Sequence, residues 1–214
     1  MSASFQPRYP RHTQIRGADL AEQRSAASDA QVGLFEVLRK RHACRSFEPK
    51  PVPHDLLNKI VYAAHRAPTA GNAAYRFIVV VKDPQVLQQI KLVSPGFFGD
   101  CTVAIFVCTD VDLARTCGQQ VFEEMTRFDA GAAAENVILA AYALGLAGTF
   151  IKSYNEAAVS RILGLPSHCR TDLLVSIGYP AESGEKPLKK KKGAKETYLD
   201  KYGQNWSSNL GEKV

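Results

Sequence analysis

Three short runs rich in β-branched and large apolar residues, Phe77–Val81, Thr102–Cys108 and Leu173–Ile177, limit what this chain can fold into. A strand with one wet face alternates apolar and polar residues, whereas an unbroken run belongs to a strand covered on both sides. Phe77–Val81 and Thr102–Cys108 are therefore expected to be strands buried on both faces. Leu173–Ile177 is the last strand, and Gly178-Tyr179-Pro180 turns the chain out of it. The cover has to come from helices.

Helical periodicity supplies that cover. Leu34, Phe35 and Leu38 place an apolar stripe on a short helix running toward Arg41. Pro49-Lys50-Pro51-Val52-Pro53 is incompatible with helix. After it, Leu56, Leu57, Ile60, Val61 and Ala64 recur at helical spacing in a second helix over 54–66. A short helix over 84–93 opens on proline. The longest periodic segment is 117–144, with Val121, Met125, Phe128, Ala132, Val137, Ala140, Ala141 and Leu144 on its apolar face and Gly145 as its stop. Its small-residue runs at 130–134 and 140–143 let another helix or a cofactor approach closely. Asn155 caps a further helix that ends at Gly164. Two helices precede the first strand and no clean βαβ unit follows, which argues for a central sheet covered by helices and against a Rossmann domain. Neither GxGxxG nor GxxxxGK[ST] occurs.

Residues 1–30 are polar and irregular and are expected to be a flexible N-terminal arm, with the folded domain over 31–206 and a tail at 207–214. The composition, 45% hydrophobic and 22% charged, excludes bulk disorder. No run approaches the roughly 18 apolar residues that a membrane-spanning helix needs. The five cysteines form no CxxC pair, and with no apolar leader they are expected to be reduced thiols of a cytoplasmic protein. Cys101 and Cys108 fall in or beside a buried strand and are expected to be inert.

Charge is distributed unevenly. Residues 1–50 carry 9 basic and 5 acidic side chains, 51–180 carry 10 and 11, and 181–214 carry 8 and 5. Basic residues gathered at both ends, around a slightly acidic middle, suit a compact anion gripped from two sides. Two solvated tails would give the same count. A nucleic-acid binder would carry a basic stripe on its folded face, so that class is not expected.

Four segments are able to carry chemistry. Arg41-His42-Ala43-Cys44-Arg45-Ser46-Phe47 holds three potentially cationic groups, and arginine forks suit phosphate oxygens. A helix C-terminus collects cations for its own reasons. Ala67-Pro68-Thr69-Ala70-Gly71-Asn72 combines small residues with an asparagine, as an ordinary helix-to-strand turn also does. Gly145-Leu146-Ala147-Gly148-Thr149-Phe150 brings a second glycine into an apolar extended piece. Lys189-Lys190-Lys191-Lys192 is a lysine run of the kind usual in solvated tails. His12, His42, His54, His65 and His168 lie far apart, and GxSxG, HExxH and zinc-spaced cysteines are absent. A bound cofactor is the economical source of chemistry.

In order, RHACRSF (41–47), PTAGNAAYRF (68–77), DAGAAAENVILAAYALGLAG (129–148), LGLP (163–166) and SIGYP (176–180) resemble the FMN-dependent nitroreductase family. The resemblance implies an α+β fold, a mostly antiparallel or mixed sheet covered by helices, in an intertwined homodimer with the flavin at the interface. It implies that Arg41 and His42 hold the FMN phosphate and ribityl chain, with Ala43 beside them where the family usually has serine. Arg45 is implied at the pyrimidine edge. Pro68, Thr69, Ala70 and Asn72 are implied to reach the flavin from the partner subunit, and Gly148 and Thr149 to set backbone against the ring. Lys189, Lys190 and Lys191 are implied at the phosphate. The implied activity is ping-pong transfer of electrons from NADPH or NADH to a small acceptor such as a nitroaromatic or quinone. Two alternatives stand beside it. One is a dehydrogenase of peptides or cyclic dipeptides that uses oxygen, which the segment SPGFFG (94–99) weakly resembles. The other is a non-catalytic flavin-binding protein, suggested by the shortened PTAGN box, where Tyr75 stands in the tryptophan position.

Overall fold

The computed structural model describes residues 33–97, 99–119, 121–181 and 197–205. Four strands, β1 (Arg76–Val81), β2 (Val103–Asp110), β3 (Ala147–Ile151) and β4 (Cys169–Gly178), form one sheet in the order β1-β2-β4-β3. Every neighbouring pair is antiparallel. The helices are α1 (Leu34–Lys40), α2 (His54–His65), α3 (Pro84–Leu92), α4 (Val111–Thr116), α5 (Thr126–Ala143) and α6 (Glu156–Ile162).

β2 is central, and its period-2 alternation feeds two cores. Val103, Ile105 and Val107 pack with Leu57, Ile60 and Ala64 of α2 and Ala130, Ala133, Ala134, Val137 and Ala141 of α5. Ala104, Phe106 and Cys108 pack on the other side with Leu87 and Ile90 of α3, Val159 of α6 and Phe47. Both faces are apolar, so the strand reads as an unbroken run. The alanines of α5 let α2 come close, and Asn136 Nδ2 donates to the Ala63 carbonyl at 2.9 Å.

The termini follow local chemistry. Pro84 opens α3 after Asp83, whose Oδ1 accepts from the Gln85 and Val86 amides at 2.8 and 3.1 Å. Asn155 caps α6 through the Ala158 amide at 3.0 Å. Gly145 closes α5 at φ +77°, with the Leu146 amide bonded to the Ala141 carbonyl and the Gly145 amide to that of Tyr142.

Four expectations need correction. β1 is an edge strand, and Phe77–Val79 are only partly covered and Val80 is exposed, rather than buried on both faces. The α1 stripe points outward: Leu34, Phe35 and Leu38 are exposed, and only Val37 is buried. Segment 117–144 is not one helix. Asp110 accepts from the Leu113 amide and caps the separate α4, and a wide π-helical turn over Val121–Met125 leads into α5. On α5, Phe128 is 69% exposed, because the helix is apolar on more than one side and this chain covers one.

The join into α5 is held from the sheet. The β2–β4 register shifts between Val107 and Cys108, opposite Asp172, which is buried. Arg170 Nε donates to Asp172 Oδ1 at 2.8 Å while its Nη2 donates to Thr126 Oγ1 at 2.6 Å. Thr109 Oγ1 donates to the other carboxylate oxygen. Cys101 and Cys108 are buried as expected. Burial raises the Cys101 thiol pKa to about 12 and pushes Cys108 up as well. No helix among the described residues is long and apolar enough to cross a membrane.

Candidate flavin and anion site

α1 ends at Lys40, and Arg41 already has extended backbone (φ −56°, ψ 139°). Arg41 is thus the C-cap of α1, its amide closing on the Val37 carbonyl at 2.8 Å, and from His42 to Phe47 the chain is an extended strap that leaves the helix end. The Cys44 amide donates to the Gly148 carbonyl at 3.2 Å, making Ala43 and Gly148 a parallel bridge on the outer edge of β3. Farther along, the Glu48 amide reaches the Tyr179 carbonyl at 2.9 Å and the Ala181 amide the Ser46 carbonyl at 3.1 Å. Phe47 lies on Gly178, where any Cβ would press on its ring.

Arg41, His42, Ala43 and Arg45 are thereby brought to Gly148 and Thr149. Arg41 Nε sits 3.3 Å from Glu135 Oε1, and the His42 ring meets Tyr142 edge-on at 6.4 Å. Arg41, His42 and Arg45 are half-buried. Gly148 tolerates no side chain, since an added Cβ would overlap the Ser176 carbonyl oxygen. Thr149 is buried and pairs with Ser176, whose buried hydroxyl has no hydrogen-bond partner among the described residues.

The Pro68–Asn72 turn forms a second cluster. Gly71 and Asn72 are both left-handed (φ +62° and +53°), which glycine adopts freely and asparagine tolerates. Asp129, buried in the first turn of α5, accepts from the Ala70 amide at 2.8 Å and from the Tyr75 hydroxyl. Burial first, and the Asp129 bond second, raise the Tyr75 pKa far above the ordinary tyrosine range. Arg76 braces the same turn from below, donating to the carbonyls of Ala67 at 2.7 Å, Pro68 at 3.0 Å, Asp129 at 3.1 Å and Ala64 at 3.3 Å. Burial lowers its pKa, and the Asp129 charge opposes that. A cleft of about 230 Å³ lies beside the turn, lined by His65, Ala67, Thr69, Asn72, Ala74 and Arg76.

The two clusters sit at different stations on α5. Asp129 marks the turn, while the strap meets the helix at Glu135 and Tyr142, about 9 and 20 Å farther along its axis. Lys189, Lys190 and Lys191 lie outside the described residues. A larger cleft of about 420 Å³, between the proline spacer, α3 and the start of β2, is lined by none of these residues. Sequence reasoning assigned no part to Asp129, Arg76 or Glu135. The available signal was a lone carboxylate opening a small-residue helix and a lone guanidinium opening an apolar strand.

An antiparallel sheet between helical layers, with a cation-bearing strap on its edge strand, defines an α+β protein with basic side chains gathered at the sheet edge. The chain belongs to the nitroreductase family, a family of oxidoreductases, whose model matches residues 38–94 and 88–179. An NADH dehydrogenase of Thermus thermophilus is 30% identical over 175 residues, covering 68% of this chain and 85% of the relative. A Methanothermobacter thermautotrophicus protein whose name joins NADH dehydrogenase to NAD(P)H nitroreductase is 29% identical over 160 residues, 72% of this chain and 81% of its own. The fold matches that of an FMN-dependent nitroreductase from Clostridium difficile R20291, with a TM-score of 0.61 at 24% identity over 71% of this chain and 88% of the other.

Proposed function

We propose that the protein is an FMN-dependent NAD(P)H oxidoreductase acting on small electron-poor acceptors, nitroaromatics or quinones among them, as a homodimer. One observation carries this reading: the Cys44–Gly148 hydrogen bond, which seats the cationic strap against the backbone of β3. That donor set fits the cofactor. The Arg41 guanidinium and the His42 imidazole answer a phosphate, and the second guanidinium, Arg45, answers the electron-rich edge of a flat ring. When bound, FMN supplies reversible two-electron chemistry, which lets a nicotinamide donor and the acceptor use the same site in turn.

Arg41 and His42 would hold the phosphate end, with Ala43 beside them, and Arg45 would set positive charge against the ring edge. Gly148 and Thr149 would orient the ring through their backbone. Pro68, Thr69, Ala70 and Asn72 would complete the site from the second subunit, and Lys189, Lys190 and Lys191 would add charge at the phosphate. Support for two copies comes from the exposed Leu34, Phe35, Leu38 and Phe128 on the adjoining α1 and α5.

The test is spectroscopic. Purified protein should be yellow, or become so with added FMN, and anaerobic NADPH or NADH should bleach it. A colourless protein with no affinity for FMN would end the proposal.

A further inference from the structure

We propose that Asp110, His168 and Cys169 form a binding site for a borderline divalent cation of the zinc type, separate from the flavin site. Asp110 ends β2 and Cys169 begins β4, where they are register partners. His168 precedes Cys169, and its carbonyl accepts from the Val111 amide at 2.8 Å. One carboxylate oxygen, one imidazole nitrogen and one sulfur lie within 4.8 Å of one another. Metal bonds of about 2.0–2.3 Å put tetrahedral donors roughly 3.3–3.7 Å apart, so side-chain rotations of about 1 Å close the set on an ion.

The backbone under these ligands is already organised. The Cys169 amide is held by the Pro166 carbonyl at 2.9 Å. Asp110 divides its two oxygens: Oδ1 accepts from the Leu113 amide at 2.9 Å, while Oδ2 lies 4.0 Å from His168 Nε2. That second oxygen is the one left for a metal, and 4.0 Å is too long for a hydrogen bond to the imidazole. His168 and Asp110 keep 44% and 31% of their side-chain surface exposed, so a hydrated ion can enter and water can take a fourth position. A sulfur beside imidazole and carboxylate favours zinc-like ions over magnesium or calcium, which prefer oxygen alone.

The place in the fold gives such an ion a structural role. It would join the last residue of β2 to the first of β4, closing the chain over α4, α5, β3 and α6. Gly148 lies opposite Ile177, eight positions along β4 from Cys169, about 26 Å in strand geometry. The metal would therefore stand far from Gly148 and from the strap docked on it.

The full-length protein, as isolated with its flavin, tests this. It would be stripped with chelator, loaded with ZnCl2, desalted and assayed for metal. Wild type and Cys117→Ser should retain about one zinc per chain, whereas His168→Gln and Cys169→Ser should lose it. Zinc at about five times its Kd should raise wild-type Tm by about 2–4 °C, reversed by chelator and absent in His168→Gln. His168 is exposed, so that variant keeps the fold even if Cys169→Ser does not. Wild type without retained zinc, or His168→Gln retaining as much as wild type, overturns the site whatever the flavin does.

Discussion

Tyr75 and Asp129, 54 positions apart in the chain, share a buried hydrogen bond in which the phenol donates to Oδ2 of the carboxylate. The same oxygen accepts the Ala70 amide, so one atom ties the Pro68–Asn72 turn and β1 to the first turn of α5. Tyr75→Phe removes one of the two donors and should cost about 1–2 kcal/mol. Asp129→Ala orphans both and should cost about 2–4 kcal/mol. Urea unfolding reads both, and equal midpoints for the three proteins would refute the role given to this carboxylate.

Arg41 is paired with Glu135 across 3.3 Å, with both side chains more than a third exposed. A pair so screened contributes less than about 1 kcal/mol, so Arg41→Ala should unfold with nearly wild-type stability. Its dissociation constant for FMN should nonetheless rise about tenfold or more, the weight of a charge-assisted bond to phosphate. Glu135→Gln should not weaken FMN. Flavin fluorescence titration measures both, and an unchanged constant for Arg41→Ala removes that residue from the phosphate.

Gly148→Ala sets a methyl group against the Ser176 carbonyl oxygen, a backbone atom with no flexible side chain to yield. Overpacking of this kind costs about 1–3 kcal/mol, or roughly 3–10 °C in Tm for a chain of this size. Thermal unfolding reads the shift. A fully stable Gly148→Ala protein would mean that β3 and β4 separate more readily than this contact implies.

Alkaline pH should destabilise the protein through its buried thiol. Burial raises Cys101 from an ordinary 9.0 to about 12 in the folded state. Below pH 9 its contribution is complete. Between pH 9 and 12 the unfolded chain releases a proton that the folded chain keeps, so stability falls by up to roughly 1.4 kcal/mol per pH unit for this group. Cys108, Tyr75 and Tyr154 are raised also and add to the slope. Urea midpoints at pH 8, 9.5 and 10.5 should fall less steeply in Cys101→Ala than in wild type. Parallel slopes would refute the assignment.

Much of the fold is legible one segment at a time. The β2 run, the Pro84 start of α3, the Asn155 cap and the Gly145 stop are local facts of side-chain shape and hydrogen bonding, and each stands where the residues say. Errors arise where burial depends on a neighbour. Phe77–Val81 has the composition of a covered strand but lies at an edge. The stripe of α1 and Phe128 of α5 are apolar but face outward. Hydrophobicity records that a face wants cover, and not which surface provides it.

The candidate site divides along the same line. RHACRSF, PTAGN and GLAG are visible as boxes through their ordered resemblance to a family, since each alone reads as an ordinary helix end, turn or cap. Sequence alone settled these local elements, their caps and the charges they carry. Tertiary structure alone decided that the strap leaves its helix and docks on β3 through the Cys44–Gly148 bond. It also decided that Asp129 and Arg76 hold the turn, and that Asp110 meets His168 and Cys169. Apart from Arg76, which reaches the turn across 8 to 12 positions, these meetings join residues more than fifty positions apart, where closing the chain costs entropy that only the packed sheet and helices repay.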